Sequence, residues 1–325
     1  MKKDKDMRKV ILLALALPLL GGCSQDTEFV PGGTHAGEAI PLMVDNTMLE
    51  SGIIQTRAFS TLATNGAGIG IFCSKGTGYD AEQNNISYTY STATNTWGPT
   101  VATAPVWLLS GDADVCAYYP YNAASNFGNK TTLPLASAVY SAAGDICFAG
   151  NRTMNGTPFW KSTTFNMKRA LAKMALTLKK GDFPGTCSVT SITLTNTNLP
   201  ATATFNITNE ANVPAVVTKA SLAYAPLTTG NMIPAPAGTA AQEVLLIPFT
   251  LSGDFSITLA VDGKNMQIVL PATTFSNSKI EAGKNYKLTL KINGTELDVT
   301  SVAIEDWTDV PMTDGGNDYV PNPAS

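Results

Sequence analysis

Apolar and polar residues alternate with a period of two along most of this chain. Phe255, Ile257, Leu259 and Val261 alternate with Ser256, Thr258 and Ala260, Asp262-Gly263 follows, and Met266, Ile268 and Leu270 take up the alternation again. Every second side chain on one face is the pleat of a half-buried strand, and Asp-Gly between two such runs predicts a two-residue hairpin. A second hairpin is predicted where Leu288, Leu290 and Ile292 lead into Asn293-Gly294 and then Leu297 and Val299. Beyond it the apolar phase moves by one, to Val302 and Ile304. A one-residue slip exchanges the buried face, so a bulge or a change of sheet is expected near Thr300-Ser301. Ile69, Ile71 and Cys73 form a further alternating set, as do Val115, Ala117 and Tyr119, and Ile192 with Leu194. Residues 168–179 fit two patterns. Leu171, Met174, Ala175 and Leu178 form a helical stripe, while Ala170, Ala172, Met174, Leu176 and Leu178 also alternate with Arg169, Lys173, Thr177 and Lys179; the strand is the reading adopted. Many short strands separated by Gly, Pro and Asn clusters predict an all-β protein built from sandwiches.

The first residues break this pattern. Lys2, Lys3, Lys5, Arg8 and Lys9 precede an apolar run from Val10 to Leu20, which ends in Leu20-Gly21-Gly22-Cys23. That run is well short of the roughly 20 residues a helix needs to cross a bilayer. It reads as a signal peptide, residues 1–22, ending in a lipobox whose Cys23 thiolate takes a diacylglyceryl group. Residues 23–39, with Pro31-Gly32-Gly33, read as a tether between lipid and fold. The remaining length suits two domains, placed at 40–163 and 164–325, with the second opening on a strand that begins at Phe165.

Composition narrows the function by exclusion. Charged residues are 14% of the 325, against roughly 25% in ordinary soluble proteins, and the net charge of −4 gives no basic footprint for nucleic acid. The single histidine, His35, lies in the tether, which removes Ser-His-Asp, Cys-His and multi-histidine metal arrangements from the folded part. No cofactor is expected. Asp112-Ala-Asp114 and Asp314-Gly-Gly-Asn-Asp318 complete no calcium ligand set and read as turn acids. Gly66-Ala-Gly68-Ile-Gly70 leads into a strand, so it has no helix N-terminus with which to cradle phosphate. Cys73, Cys116, Cys147 and Cys187 are widely spaced; they read as buried thiols, with two disulfides as the alternative. Trp97, Trp107, Trp160 and Tyr118-Tyr119-Pro120-Tyr121 are either core aromatics or a platform for sugars.

The ordered set of features resembles the fimbrillins, lipoproteins that build the type V pili of Gram-negative anaerobes. The resemblance rests on the lipobox at Cys23, Thr56-Arg57-Ala58-Phe59, Ile69-Gly-Ile-Phe72 and Val115-Cys-Ala-Tyr-Tyr-Pro-Tyr121. It also rests on Met167-Lys-Arg-Ala-Leu-Ala-Lys173, Leu194-Thr-Asn-Thr197, Tyr286-Lys-Leu-Thr-Leu-Lys-Ile-Asn-Gly294 and Val302-Ala-Ile-Glu-Asp-Trp307. It implies two transthyretin-like β-sandwich domains, export to the outer membrane on a lipid anchor, cleavage after an arginine by a surface protease, and assembly with other pilus subunits by strand exchange. Arg57-Ala58 is the bond so singled out, though an arginine there also suits a solvated loop. The residues bear on that mechanism independently. Ile40, Leu42 and Val44 alternate and suit a strand seated in a groove of the first sandwich. Its loss would leave an apolar groove and unpaired edge groups that a strand of another subunit could fill. Val302, Ile304, Val310 and Met312, around Trp307, are the donor candidates, or else a closing strand of the second sandwich. The expected function is thus a non-catalytic pilus subunit or adhesin, touching a host or microbial surface. The alternatives are a glycan-binding surface lipoprotein and, more remotely, an enzyme with a carboxylate pair.

Overall fold

Strands dominate because the apolar positions recur every second residue and β-branched residues are frequent. The computed structural model describes residues 39–51, 58–157, 159–226, 232–294 and 296–309, and within these the only helical turns are four three-residue 3-10 segments. Residues 168–179 contain no helix: Ser162–Arg169 and Ala172–Lys180 are both strands, broken at Ala170-Leu171.

An eight-stranded sheet forms the first body, in the spatial order Ala58–Thr61, Met43–Ser51, Ser162–Arg169, Cys147–Met154, Ala113–Tyr119, Gly68–Cys73, Gln83–Ser91, Thr96–Pro99. Met43–Ser51 and Thr96–Pro99 approach one another, so the strip curls around its own core. Ile69, Ile71, Val115, Ala117, Phe165 and Met167 face inward there with Leu42, Val44 and Leu49. The strand beginning near Phe165, expected to open the second domain, pairs inside this first sheet, parallel to Met43–Ser51. Its alternation declares a strand but carries no information about which sheet receives it.

The second body is a sandwich. Ala138–Val139, Gln242–Leu246, Ala172–Lys180, Lys284–Asn293 and Glu296–Asp306 make one sheet; Leu222–Tyr224, Val189–Thr195, Phe255–Val261 and Lys264–Leu270 make the other. Phe255, Ile257, Leu259 and Val261 from one side meet Met174, Leu176, Leu288 and Leu290 from the other. The Asp262-Gly263 hairpin forms as expected, with Val261 opposite Lys264. In the second hairpin Asn293 pairs with Glu296, so the turn lies one residue later than Asn293-Gly294. Asn293 can stay in the strand because its side chain is satisfied there, donating to Asp298 and accepting from the Asp182 amide. The slip near Thr300 is a bulge: Ser301 faces Thr289, Val299 faces Leu290, and Thr300 Oγ1 donates to the Thr289 carbonyl at 3.2 Å.

A third cluster joins the two bodies. Phe72, Cys116, Tyr118 and Phe148 point to the face opposite Ile71, Ala117 and Cys147, and there they meet Leu133, Leu135, Ala203 and Phe205 of a three-stranded sheet. Leu245, Ile247 and Trp307 complete this waist from the second body. Two buried faces explain why Gly68–Cys73 and Ala113–Tyr119 are apolar almost throughout.

Candidate functional site

Leu42 and Val44 are buried in the first core, and Ile40, half-buried, pairs with Leu108 at the start of the same segment. Met43–Ser51 is an interior strand, held antiparallel by Ala58–Thr61 and parallel by Ser162–Arg169. The buried Tyr88 hydroxyl donates to the Leu42 carbonyl and accepts from the Val106 amide, each at 3.1 Å, while the Leu42 amide donates to the Val106 carbonyl at 2.8 Å. Burying Leu42, Val44 and Leu49 contributes roughly 1.5–3 kcal/mol each. That holds the segment firmly without making it irremovable. One irregularity lies within it: Val44 faces Thr163 and Asn46 faces Thr164, leaving Asp45 as the extra residue of a bulge.

Arg57 and Cys23 lie outside the described residues, and Ala58 is the first residue of the strand that follows. The segment holding Ile40, Leu42 and Val44 is thus separated in sequence from Ala58 by residues 52–57.

At the other end of the chain, Val302 and Ile304 are paired with Leu288 and Tyr286 in the edge strand Glu296–Asp306, Val302 at 36% exposure. Trp307 is buried in the waist, and Val310 and Met312 lie outside the described residues. Trp307 is gripped by a clamp that spacing along the chain did not foreshadow. Arg169, buried, donates from Nε to both carboxylate oxygens of the fully buried Asp145, at 3.0 and 3.2 Å. Its Nη1 donates to the Trp307 carbonyl at 2.7 Å, its Nη2 to the Asp309 carbonyl, and its guanidinium stacks 3.9 Å from the indole centroid. Lys173 adds ion pairs to Asp309 at 2.6 Å and Glu243 at 3.1 Å. Burial pushes the Asp145 carboxyl up, against the pull of Arg169. Burial also works against the Asp309 carboxylate, but the Lys173 hydrogen bond and the charges of Lys173 and Arg169 hold it below its ordinary value. The last residues before position 310 are thereby fixed to both bodies. The only sequence signal was a charged residue, Arg169 or Lys173, inside an otherwise apolar stretch.

The other candidates resolve by burial. Trp97, Tyr118 and Tyr119 are core, whereas Trp160 is 58% exposed and Phe159, its neighbour, 91%. All four cysteines of the described residues are free and buried, and desolvation raises the Cys73 and Cys116 thiols to about 12. Among the described residues no group of three or more His, Cys, Asp or Glu side chains is arranged to hold a metal. A cleft of about 680 Å³ opens at the waist, rimmed by the ion pairs Lys168–Glu210 and Lys284–Asp306, both 2.6 Å.

A sequence profile of the family described as fimbrillin-like matches residues 56–307. No curated protein matches the chain. Among solved structures, a candidate cell adhesion protein from Bacteroides uniformis superposes with a TM-score of 0.59 at 19% identity, covering 83% of this chain and 99% of that one. One from Bacteroides ovatus gives 0.54 at 16% identity, again over 83% and 99%. At these identities the likeness is one of fold.

Proposed function

Because this chain belongs to the fimbrillin-like family, we propose that it is a structural and adhesive subunit of a type V pilus, without catalytic activity. It is exported as a lipoprotein on Cys23, held at the outer membrane, cut between Arg57 and Ala58, and joined to other subunits by strand exchange. The observation that carries this reading is the seating of Leu42 and Val44. An apolar segment fills the first core from the N-terminal side and, once the chain is cut within residues 52–57, is held without a covalent link to the body, by side-chain burial, backbone hydrogen bonds and the Tyr88 hydroxyl.

The clamp refines the donor. Withdrawing residues 302–307 from their own subunit would remove Trp307 from the waist and uncover the Arg169–Asp145 pair, a cost of several kcal/mol. The donated part is therefore residues 310–325, which begin with Val310 and Met312; Val302, Ile304 and Trp307 anchor its base. Deleting residues 310–325 should leave folding and cleavage intact and abolish assembly. Fibres of parental length from the deleted protein would rule out this donor.

A further inference from the structure

The loop that displays Phe159 and Trp160 is tied down beside the first strands of the fold. The Gly156 amide donates to the Leu109 carbonyl at 2.7 Å, Asn155 Nδ2 donates to Asp112 Oδ1 at 2.8 Å, and the Trp160 amide donates to the Thr157 carbonyl at 3.1 Å. A Cβ at Gly156 would come within 2.8 Å of the Leu108 carbonyl oxygen, so only glycine lets the loop lie this close. Leu108 is also the residue that Ile40 faces across its strand pair, and the Met43 amide donates to the Lys161 carbonyl at 2.9 Å. Residues 40–43 and the loop thus share one corner of the first body. That corner exposes Phe159 at 91%, Trp160 at 58% and Met43 at 50%. Two aromatics bury roughly 150–250 Å² each, well below the about 800 Å² per partner of a stable protein interface. Such a patch suits a surface that something else already holds close.

We propose, resting on the lipid-anchor reading of Cys23, that Met43, Phe159 and Trp160 dock on the bilayer that holds this lipid. Only the sixteen residues 23–38 separate the anchor from Ala39, one residue before Ile40 in this corner. Fully extended, sixteen residues reach at most about 60 Å. The corner therefore meets the bilayer in an intramolecular encounter, for which contacts too weak to join two free molecules suffice. Tryptophan favours the headgroup level, where its ring is in an apolar setting and its N–H still finds water, while phenylalanine and methionine enter the acyl boundary. Charge adds little, because the corner that carries Lys161 also carries Asp45 and Asp112. The arrangement also suits maturation. Ser51, which pairs with Ala58, lies eight residues on from Met43, roughly 26 Å at 3.3 Å per residue. Docking through Met43 thus holds Ala58, the residue after the bond to be cut, at the far end of that strand from the lipid.

The test reconstitutes the uncut, lipidated mature chain in phosphatidylcholine vesicles with and without bromine on the acyl chains, since bromine quenches only tryptophans that reach the bilayer. Trp97 and Trp307 are buried. The parent should lose fluorescence in the brominated vesicles, by at most the share of one among its four tryptophans, and the loss should not depend on salt. Trp160→Phe should abolish the loss and Phe159→Ser should lessen it, both at exposed positions and with folding checked by circular dichroism. A parent that floats with the vesicles unquenched, or a loss that persists in Trp160→Phe, overturns the docking while leaving the lipid anchor standing. Without quenching, a Trp160 signal that follows added polysaccharide or protein concentration reassigns the patch to a glycan or a second copy. If the parent carries no lipid and does not float, the anchor reading fails and the docking fails with it.

Discussion

Replacing Arg169 with methionine keeps much of the side chain's volume and removes its charge, leaving Asp145 buried and unpaired. Both residues are almost inaccessible, Arg169 at 4% and Asp145 at 0%, so solvent cannot take over the lost partner. Breaking such a pair costs about 3–5 kcal/mol, which for a chain of this size lowers the melting temperature by on the order of 10 °C. In the variant the folded protein holds a proton on Asp145 that the unfolded chain, with a carboxyl pKa of about 4, releases more readily. The deficit should therefore grow as pH rises through the ordinary carboxylate range and shrink below it. Asp145→Val/Arg169→Met removes the isolated charge and should recover part of the loss. Recovery stays incomplete because the Trp307 and Asp309 carbonyls, to which Arg169 donates, lose a donor at about 1–3 kcal/mol for each that stays buried. Urea unfolding of the parent, both single variants and the double variant across pH gives the coupling energy directly. If the two single losses simply add in the double variant, the pair is not the centre of the waist and the reasoning fails.

Three further outcomes are expected. Cys23→Ala should abolish incorporation of labelled palmitate, and undiminished labelling would remove the lipid anchor from the account. The depressed Asp309 carboxyl contributes stability above its unfolded pKa that is lost as pH falls through its folded value. The protection factor of the Trp307 amide, which donates to the Gly283 carbonyl at 2.8 Å, taken relative to its intrinsic exchange rate at each pH, should accordingly fall in acid but not in the Lys173→Met variant, where that contribution is already gone; identical protection profiles would refute the clamp's charge chemistry. A maleimide should label none of Cys73, Cys116, Cys147 or Cys187 in the folded protein at neutral pH, since burial both hides the thiols and disfavours the reactive thiolate. Rapid labelling before unfolding would show that the core opens.

Much of the fold was legible because a strand advertises itself locally. The run from Phe255 to Leu270 and the phase slip at Thr300 follow from which residues are apolar and from the period of the pleat. Pairing between distant strands leaves no such trace. Nothing around Phe165 distinguishes the edge of a second sandwich from the middle of the first, and the break between Ser162–Arg169 and Ala172–Lys180, at Ala170-Leu171, carries no Gly, Pro or Asn to mark it. Strands buried on both faces also defeat alternation, as in residues 172–176, where Lys173 is as buried as its apolar neighbours because it pairs with Asp309 and Glu243. The inward face of residues 40–44 was visible in the alternation of Ile40, Leu42 and Val44, whereas Tyr88, which ties the backbone there, and Asp145, which orients Arg169, are joined to their partners only by the fold.

In the proposed assembly the N-terminal strand, once severed behind Arg57, yields its groove to another copy. This exchange is tested most directly by exposing the mature chain and its Arg57→Ala variant to a trypsin-like protease and following fragment masses and sedimentation together. The parent should show a single early cut, a body beginning at Ala58, and growth into oligomers as the residue 23–57 fragment is lost, with the variant uncut and monomeric. Fibres formed equally by the uncut variant, or a parent that is cut at Arg57 and stays monomeric at every concentration, would contradict it.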